Sequence, residues 1–290
     1  MLGMIRMKPD FIREQIRRTR ALTSKPFGVN LVPPVAHMPG GFESQFEVCL
    51  EERIPVLSLF WNDAAPYVER CHEAGILVML QVGSPEEACE AAAVGVDVIV
   101  AQGCEAGGHF RGQIGLMALL PTIVEAVPNT PVLAAGGIVN GRGLAAALSL
   151  GGAGVWIGTR FVASEESEAH PDYRRRLLGA RAIDAVQCQI PLIEWPSAAQ
   201  YRVLRSPITE AGSPPALSVA KIRRGEQLFE VPPDSSAAPT IWTEGQTELM
   251  PNYAGQGVEL IRDIQPAATI VGQLVAEAED TIRSLTTLLD

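Results

Sequence analysis

Three short segments carry residue types able to do chemistry: Gln102-Gly103-Cys104-Glu105-Ala106-Gly107-Gly108-His109, Ala134-Ala135-Gly136-Gly137-Ile138 and Ile157-Gly158-Thr159-Arg160-Phe161. Each follows or closes an apolar run that reads as a buried parallel strand. In the first, Gly107 and Gly108 let the chain bend where the strand opens into a loop, so the imidazole of His109 can project over a pocket mouth. An imidazole with an ordinary pKa of about 6.5 suits a general base at neutral pH. The other two are glycine turns leading into helical sequence. Glycine there lets backbone N–H groups approach a phosphate, and the following helix N-terminus adds a favourable dipole. Gly136 and Gly137 precede Asn140 and a helix from Gly141, while Gly158 and Thr159 offer two N–H groups and a hydroxyl. Either turn alone is equally well a tight connection. As neighbours they make a joint cup for a phosphorylated cofactor, with His109 beside its reactive end.

Amides recur at strand ends. Asn30 closes Phe-Gly-Val-Asn-Leu, and Gln81 and Gln102 close two other runs. Such amides can donate to and accept from the edge of a planar heterocycle, or tie down loop backbone. Cys104, five residues before His109, invites a cysteine–histidine pair, but no third residue orients it, and a small apolar cysteine beside a strand is the commoner case. Glu105 suits a structural role, accepting from backbone. His37, His72 and His170 lack the context of His109, and His72 reads as an exposed helix residue. No HxH, HExxH or Cys/His cluster supports a metal site.

These residues need a scaffold, and the pattern supplies one. Strands are predicted at Phe27–Leu31, Val56–Phe60, Ile76–Val82, Val96–Ala101, Val132–Ala135 and Gly154–Gly158. Helices are predicted at Pro9–Leu22, Glu43–Glu52, Ala65–Ala74, Pro85–Ala93, Gly115–Val127 and Gly141–Leu150, with Ser84 an N-cap and Glu86 and Glu87 in the first turn that follows it. Strict βα alternation means a parallel sheet covered by helices. No GxGxxG follows the first strand, and the late glycine turns favour a barrel, whose phosphate sites lie after its last strands. Beyond about residue 165 the pattern changes. A helix is predicted over His170–Ile183, residues 184–253 are rich in Pro, Ser and Gly without a clear period, and Ala267–Leu288 is a closing helix. The division expected is a cofactor-binding core over 1–165 and a loop-rich, partly helical appendage over 166–290 that packs on it.

Composition bounds the partners. The 290 residues are 47% hydrophobic and 19% charged, enough for a large core. A net charge of −10 disfavours nucleic acid and anionic membranes. Five cysteines with no CxxC argue for a reducing compartment, and the start has no signal-peptide pattern, so a cytoplasmic location is expected.

These residues resemble the nitronate monooxygenase family, formerly called 2-nitropropane dioxygenases. The resemblance runs from about residue 3 to residue 165 and returns from Tyr253-Ala254-Gly255-Gln256-Gly257 through the final helix. Its pieces are Lys25 through Leu31, Gln102 through His109, Ala134 through Ile138 and Gly158 through Phe161. It implies an FMN-dependent TIM-type (β/α)8 barrel. FMN would be held by Asn30, Gln81, Gln102, Gly107, Gly136, Gly137, Gly158 and Thr159, with Trp156 and Ile157 serving through backbone. Position 156, often glutamine in the family, is Trp here. His109 would take the α-proton of a nitroalkane, and O2 would complete conversion to a carbonyl compound and nitrite. Flavin-type enoyl-acyl-carrier-protein reductases and NAD(P)H:quinone reductases look similar, which leaves a flavin-dependent NAD(P)H oxidoreductase as the alternative. The family opens with a strand, a flavin loop and a helix, whereas Leu2-Gly3-Met4-Ile5 resembles only the tail of the second strand. The barrel is therefore expected to be incomplete at its N-terminus, with open strand edges that favour homo-oligomers, and an inactive truncated barrel is a third reading.

Overall fold

The structure is a computed structural model describing all residues except 6, 34–40, 62, 194 and 288–290, together with every side chain in that set but that of residue 224. His37 lies outside the described residues. Seven parallel strands form one sheet in the order β1 (Leu2–Gly3), β2 (Gly28–Leu31), β3 (Val56–Phe60), β4 (Leu77–Val82), β5 (Val98–Gln102), β7 (Val132–Ala135) and β8 (Gly154–Trp156). The sheet curls into an open TIM-type barrel whose ladder ends at β1 and β8 among the described residues. Helices α1 (Pro9–Leu22), α2 (Gly41–Glu51), α3 (Ala65–Glu73), α4 (Pro85–Ala93), α5 (Leu116–Ala126) and α6 (Gly141–Ser149) lie between successive strands.

Period-two alternation decides what each strand shows to each face. Val29, Leu31, Leu57, Leu59, Val78, Leu80, Ile99 and Ala101 point to the helices and form the main core with Ile12, Ile16, Phe46 and Leu119. The alternate residues Met79, Val100 and Ala135 close a smaller cluster inside the barrel. Asn30, Ser58, Gln81 and Gln102 share the interior phase, so the same alternation that buries the aliphatics sends these polar groups inward. The helix starts follow from local chemistry. Ser84 accepts from the N–H of Glu87 at 3.2 Å with Pro85 in the first turn, and Asn140 accepts from the N–H of Gly143 at 3.1 Å.

The later sequence departs from expectation. The helix predicted to Ile183 stops earlier, as α8 (Pro171–Gly179), after a short α7 (Thr159–Val162). Residues 184–253, which carry no period, hold most of two antiparallel sheets. One joins β6 (Gly108–Phe110) to β10 (Gln200–Leu204) and β9 (Ala185–Cys188). The other joins β12 (Gln227–Glu230), β11 (Ala220–Arg224) and β13 (Thr243–Gly245). Strands this short take their stability from cross-strand partners, which a local pattern does not register. After α9 (Pro207–Ala211), the chain closes on α10 (Ala267–Thr286), whose buried Ile270, Leu274 and Ala278 pack it on α6. Among the described residues, no helix is long and apolar enough to cross a membrane.

Candidate active site

The C-terminal ends of the parallel strands open into a cavity of about 270 Å³. It is lined by Asn30, Gln81, Gln102, Gly107, His109, Gly136, Gly137, Trp156, Gly158 and Thr159, so every residue expected to hold the cofactor or act as base reaches it except Ile157. Phe60, Trp195, Gly255 and Gly257 also line it.

One wall is backbone. Gly136 and Gly137 have φ of +109° and +70°, values that side chains rarely adopt. A Cβ on Gly107 would lie 2.4 Å from the Gly255 nitrogen, and one on Gly257 would lie 2.2 Å from the Gly137 carbonyl oxygen. The Gln256 N–H donates to the Glu105 carbonyl at 2.9 Å, and the Gly255 N–H to the Thr159 hydroxyl at 3.0 Å. Three distant pieces of chain thus interlock main chain to main chain. Gly158 differs: a Cβ there would meet nothing within 4 Å. It stands at the N-terminus of α7, which leaves room and N–H groups for an anion.

The amides form the floor. Asn30 Nδ2 donates to Ser58 Oγ at 3.1 Å, its strand neighbour in register. Gln102 Nε2 donates to the His109 carbonyl at 2.9 Å, while its Oε1 is buried with no hydrogen-bond partner among the described residues. A buried acceptor left unsatisfied costs about 1–3 kcal/mol, which a ligand donor would recover. The glycine cup and this amide oxygen fit a phosphate at one end of a ligand and a polar-edged planar ring above the sheet.

His109 corrects the sequence reading. It belongs to β6, paired with Tyr201 of β10, and is buried rather than carried on an open loop. Its imidazole stacks on the indole of Trp195 at 3.5 Å between centroids and 8° between planes. Tyr201, Tyr253 and Trp61 stand around it at 5.2, 5.8 and 6.5 Å. The hydroxyls of both tyrosines are engaged: Tyr201 accepts from Cys188 Sγ at 3.3 Å and Tyr253 donates to the Ser236 carbonyl at 2.9 Å. Burial, then the Cys188 hydrogen bond, push the Tyr201 phenol up, so it stays neutral. Arg202 fastens β10 to the histidine segment, donating from Nη2 to the Cys104 carbonyl at 2.7 Å and from Nη1 to the Ala185 carbonyl at 2.8 Å. Sequence reasoning missed Trp195 and Tyr201, which sit in the stretch without period; a lone Trp among Pro and Ser was the one available signal.

Other candidates resolve into structure. Glu105 accepts the Leu116 N–H on both carboxylate oxygens, at 2.9 and 3.0 Å, and so caps α5. Burial pushes the Cys104 thiol up, away from the thiolate a nucleophile needs. His72, on α3, meets Asp97 at 2.9 Å, and His170 accepts the Asp172 N–H at the start of α8. Arg160 is buried and reaches Asp263 Oδ1 at 2.7 Å, tying α7 to the C-terminal segment. Among the described residues no group of three or more His, Cys, Asp or Glu is placed to hold a metal ion.

A sequence model of the nitronate monooxygenase family matches residues 1–277. The chain is 31% identical over 332 residues to a nitronate monooxygenase of Paraburkholderia phytofirmans, covering 98% of this chain and 86% of that one. It is 34% identical over 254 residues to the putative monooxygenase Rv1533 of Mycobacterium tuberculosis, covering 85% of this chain but 65% of that protein's length. Among solved structures it resembles FabK from Thermotoga maritima, with a TM-score of 0.80 and 33% identity, covering 98% of this chain and 85% of that one.

Proposed function

The chain belongs to the nitronate monooxygenase family, a family of oxidoreductases that are generally flavin-dependent, and from that premise we propose that it binds FMN in the barrel cavity and oxidises alkyl nitronates and nitroalkanes with O2 to a carbonyl compound and nitrite. One observation supports this reading above the others. Glycine N–H groups, a threonine hydroxyl, an amide oxygen without a partner among the described residues and an imidazole converge on one cavity from segments far apart in sequence.

In this reading Gly136, Gly137, Gly158 and Thr159 hold the phosphate, with Trp156 and Ile157 contributing backbone. Asn30, Gln81 and Gln102 meet the edge of the ring system, and Gly107 keeps the wall thin. The flavin, when bound, supplies a two-electron acceptor that O2 can reoxidise. His109 takes the α-proton of a neutral nitroalkane at an imidazole nitrogen. The apolar rings around it exclude water and hold its plane. A preformed nitronate needs no such base. The core over 1–165 carries the cofactor and 166–290 covers it. A cytoplasmic location accords with five free cysteines, and self-association is part of the same proposal.

The likeness to FabK favours a second reading, in which NAD(P)H reduces the flavin and an enoyl thioester or quinone is the acceptor. Two measurements separate these. The purified chain is given FMN, washed and scanned for retained flavin bands; then oxygen consumption with a nitronate is compared with NAD(P)H oxidation in the presence of an acceptor. Retained flavin with nitronate-dependent oxygen uptake supports the first reading. NAD(P)H oxidation without nitronate turnover supports the second, and a colourless protein after FMN exposure sinks both in favour of an inactive barrel.

A further inference from the structure

We propose that Trp195 sets the length of the substrate, restricting this site to short nitro compounds; the proposal rests on the function given above. Trp195 is carried on the strap between β9 and β10. Its own N–H donates to the Leu192 carbonyl at 3.0 Å, and the strap is pinned where the Ile193 N–H donates to the Asp234 carbonyl at 2.9 Å. The indole is braced edge-on by Trp61 at 5.4 Å and 85° and by the tilted ring of Phe60 at 6.2 Å. It therefore has a fixed place rather than a free swing.

That place is against the candidate base. At 3.5 Å and 8° the indole covers one face of the His109 imidazole at van der Waals contact, and nothing fits between the two rings. A substrate reaches His109 past the ring edge, with its carbon chain running beside the indole. The wall available to that chain is apolar: Ile5, Val32 and Phe60, the group that clusters with Trp195. An apolar wall attracts methylenes, while the indole fixed beside the base limits how far the chain can extend along it. The substrate class that meets both conditions is a short, uncharged alkyl group on the nitro-bearing carbon.

The test compares Trp195→Phe and Trp195→Ala with the parent chain, each loaded with FMN. The first readout is kcat/KM for the nitronates of nitroethane and 1-nitrohexane. Trp195→Ala is expected to raise the hexyl-to-ethyl ratio at least tenfold, since each buried methylene is worth about fourfold in affinity; Trp195→Phe should fall between. The second readout does not depend on turnover: calorimetric binding of propionamide and hexanamide, which cannot be oxidised in this way. Hexanamide should bind about tenfold more tightly to Trp195→Ala than to the parent, with propionamide little changed. If Trp195→Ala loses flavin or melts early, the Phe variant, which keeps an aromatic face, decides the matter alone. Chain-length preferences that agree within twofold in all three proteins overturn the proposal, as does the absence of amide binding in all three. A parent chain inert toward nitronates but selective for the short amide would remove the proposed function while leaving the length limit standing.

Discussion

The two walls of the cavity are built from different materials. On the β7–β8 side the packing is main chain on main chain: Gly107 against Gly255, Gly257 against Gly137, and Gln256 hydrogen-bonded to Glu105. On the histidine side it is ring against ring, with His109, Trp195, Trp61 and Phe60 in contact. Backbone contacts at these distances have no slack, because a single added carbon lands on an atom that cannot move. Rings can be exchanged for smaller rings at a graded cost. The first wall is therefore suited to a constant ligand and the second to a variable one.

The largest effect expected from this contrast is on Gly107 or Gly257. Replacement of either by alanine forces the interlocked segments apart and is expected to cost about 3 kcal/mol or more, with flavin retention lost. Thermal melting with flavin absorbance checks both, and a variant that melts like the parent and keeps flavin would break the distinction between the walls. Next comes His109→Ala, which leaves the backbone wall intact. Turnover of neutral nitroalkanes should drop by about 10²–10⁴ while nitronates are much less affected. Equal losses on both substrates would remove the assigned base. Gly158→Ala sharpens the comparison. Its φ and ψ of −110° and −71° and the empty space beside it let alanine fit, so stability should change by no more than about 0.5 kcal/mol. The new methyl group intrudes on the proposed phosphate cup, and FMN affinity should fall by about tenfold, or 1.4 kcal/mol, in a flavin titration.

The smallest effect lies outside both walls and serves as a baseline. Glu52, after α2, is grasped by Arg13, Arg17 and Arg20 of α1 at 3.1, 2.8 and 3.0 Å. Burial pushes its carboxyl up, but hydrogen bonds from Arg17 and Arg13 outweigh that and hold it below its ordinary value of 4.5. A folded-state value below the unfolded one stabilises the protein above pH 4.5, and that contribution is lost as the pH falls further. The arginines are exposed enough for solvent to screen the pairs. Glu52→Gln should thus flatten only part of the acid-side decline in melting temperature, and a steeper decline would reverse the sign assigned here.

Much of the barrel was legible because its signals are local. The strands Val56–Phe60 and Val132–Ala135 and the helices Pro9–Leu22 and Pro85–Ala93 coincide with the structure, since aliphatic alternation, a proline at the first helical position and the Ser84 cap act within a few residues. The amides were legible as residues at strand ends, and parallel strands put all those C-terminal ends together at one mouth. The location of His109 on a loop did not survive. Gly108-His109-Phe110 becomes a strand only because Gln200-Tyr201-Arg202 arrives to pair with it, about ninety residues later in the chain. The antiparallel sheets of residues 184–253 were missed for the same reason.

The sequence by itself determined the alternation of buried and inward residues, the glycine turns after β7 and β8, and the presence of an imidazole beside a strand end. These depend on side-chain period and backbone freedom, which each residue carries with it. Only the tertiary structure decided that Gly255 and Gly257 would complete the backbone wall, and that Trp195 would lie flat on His109. Such contacts join residues separated by scores of positions, and their geometry is fixed by packing, where each neighbour's place depends on all the others.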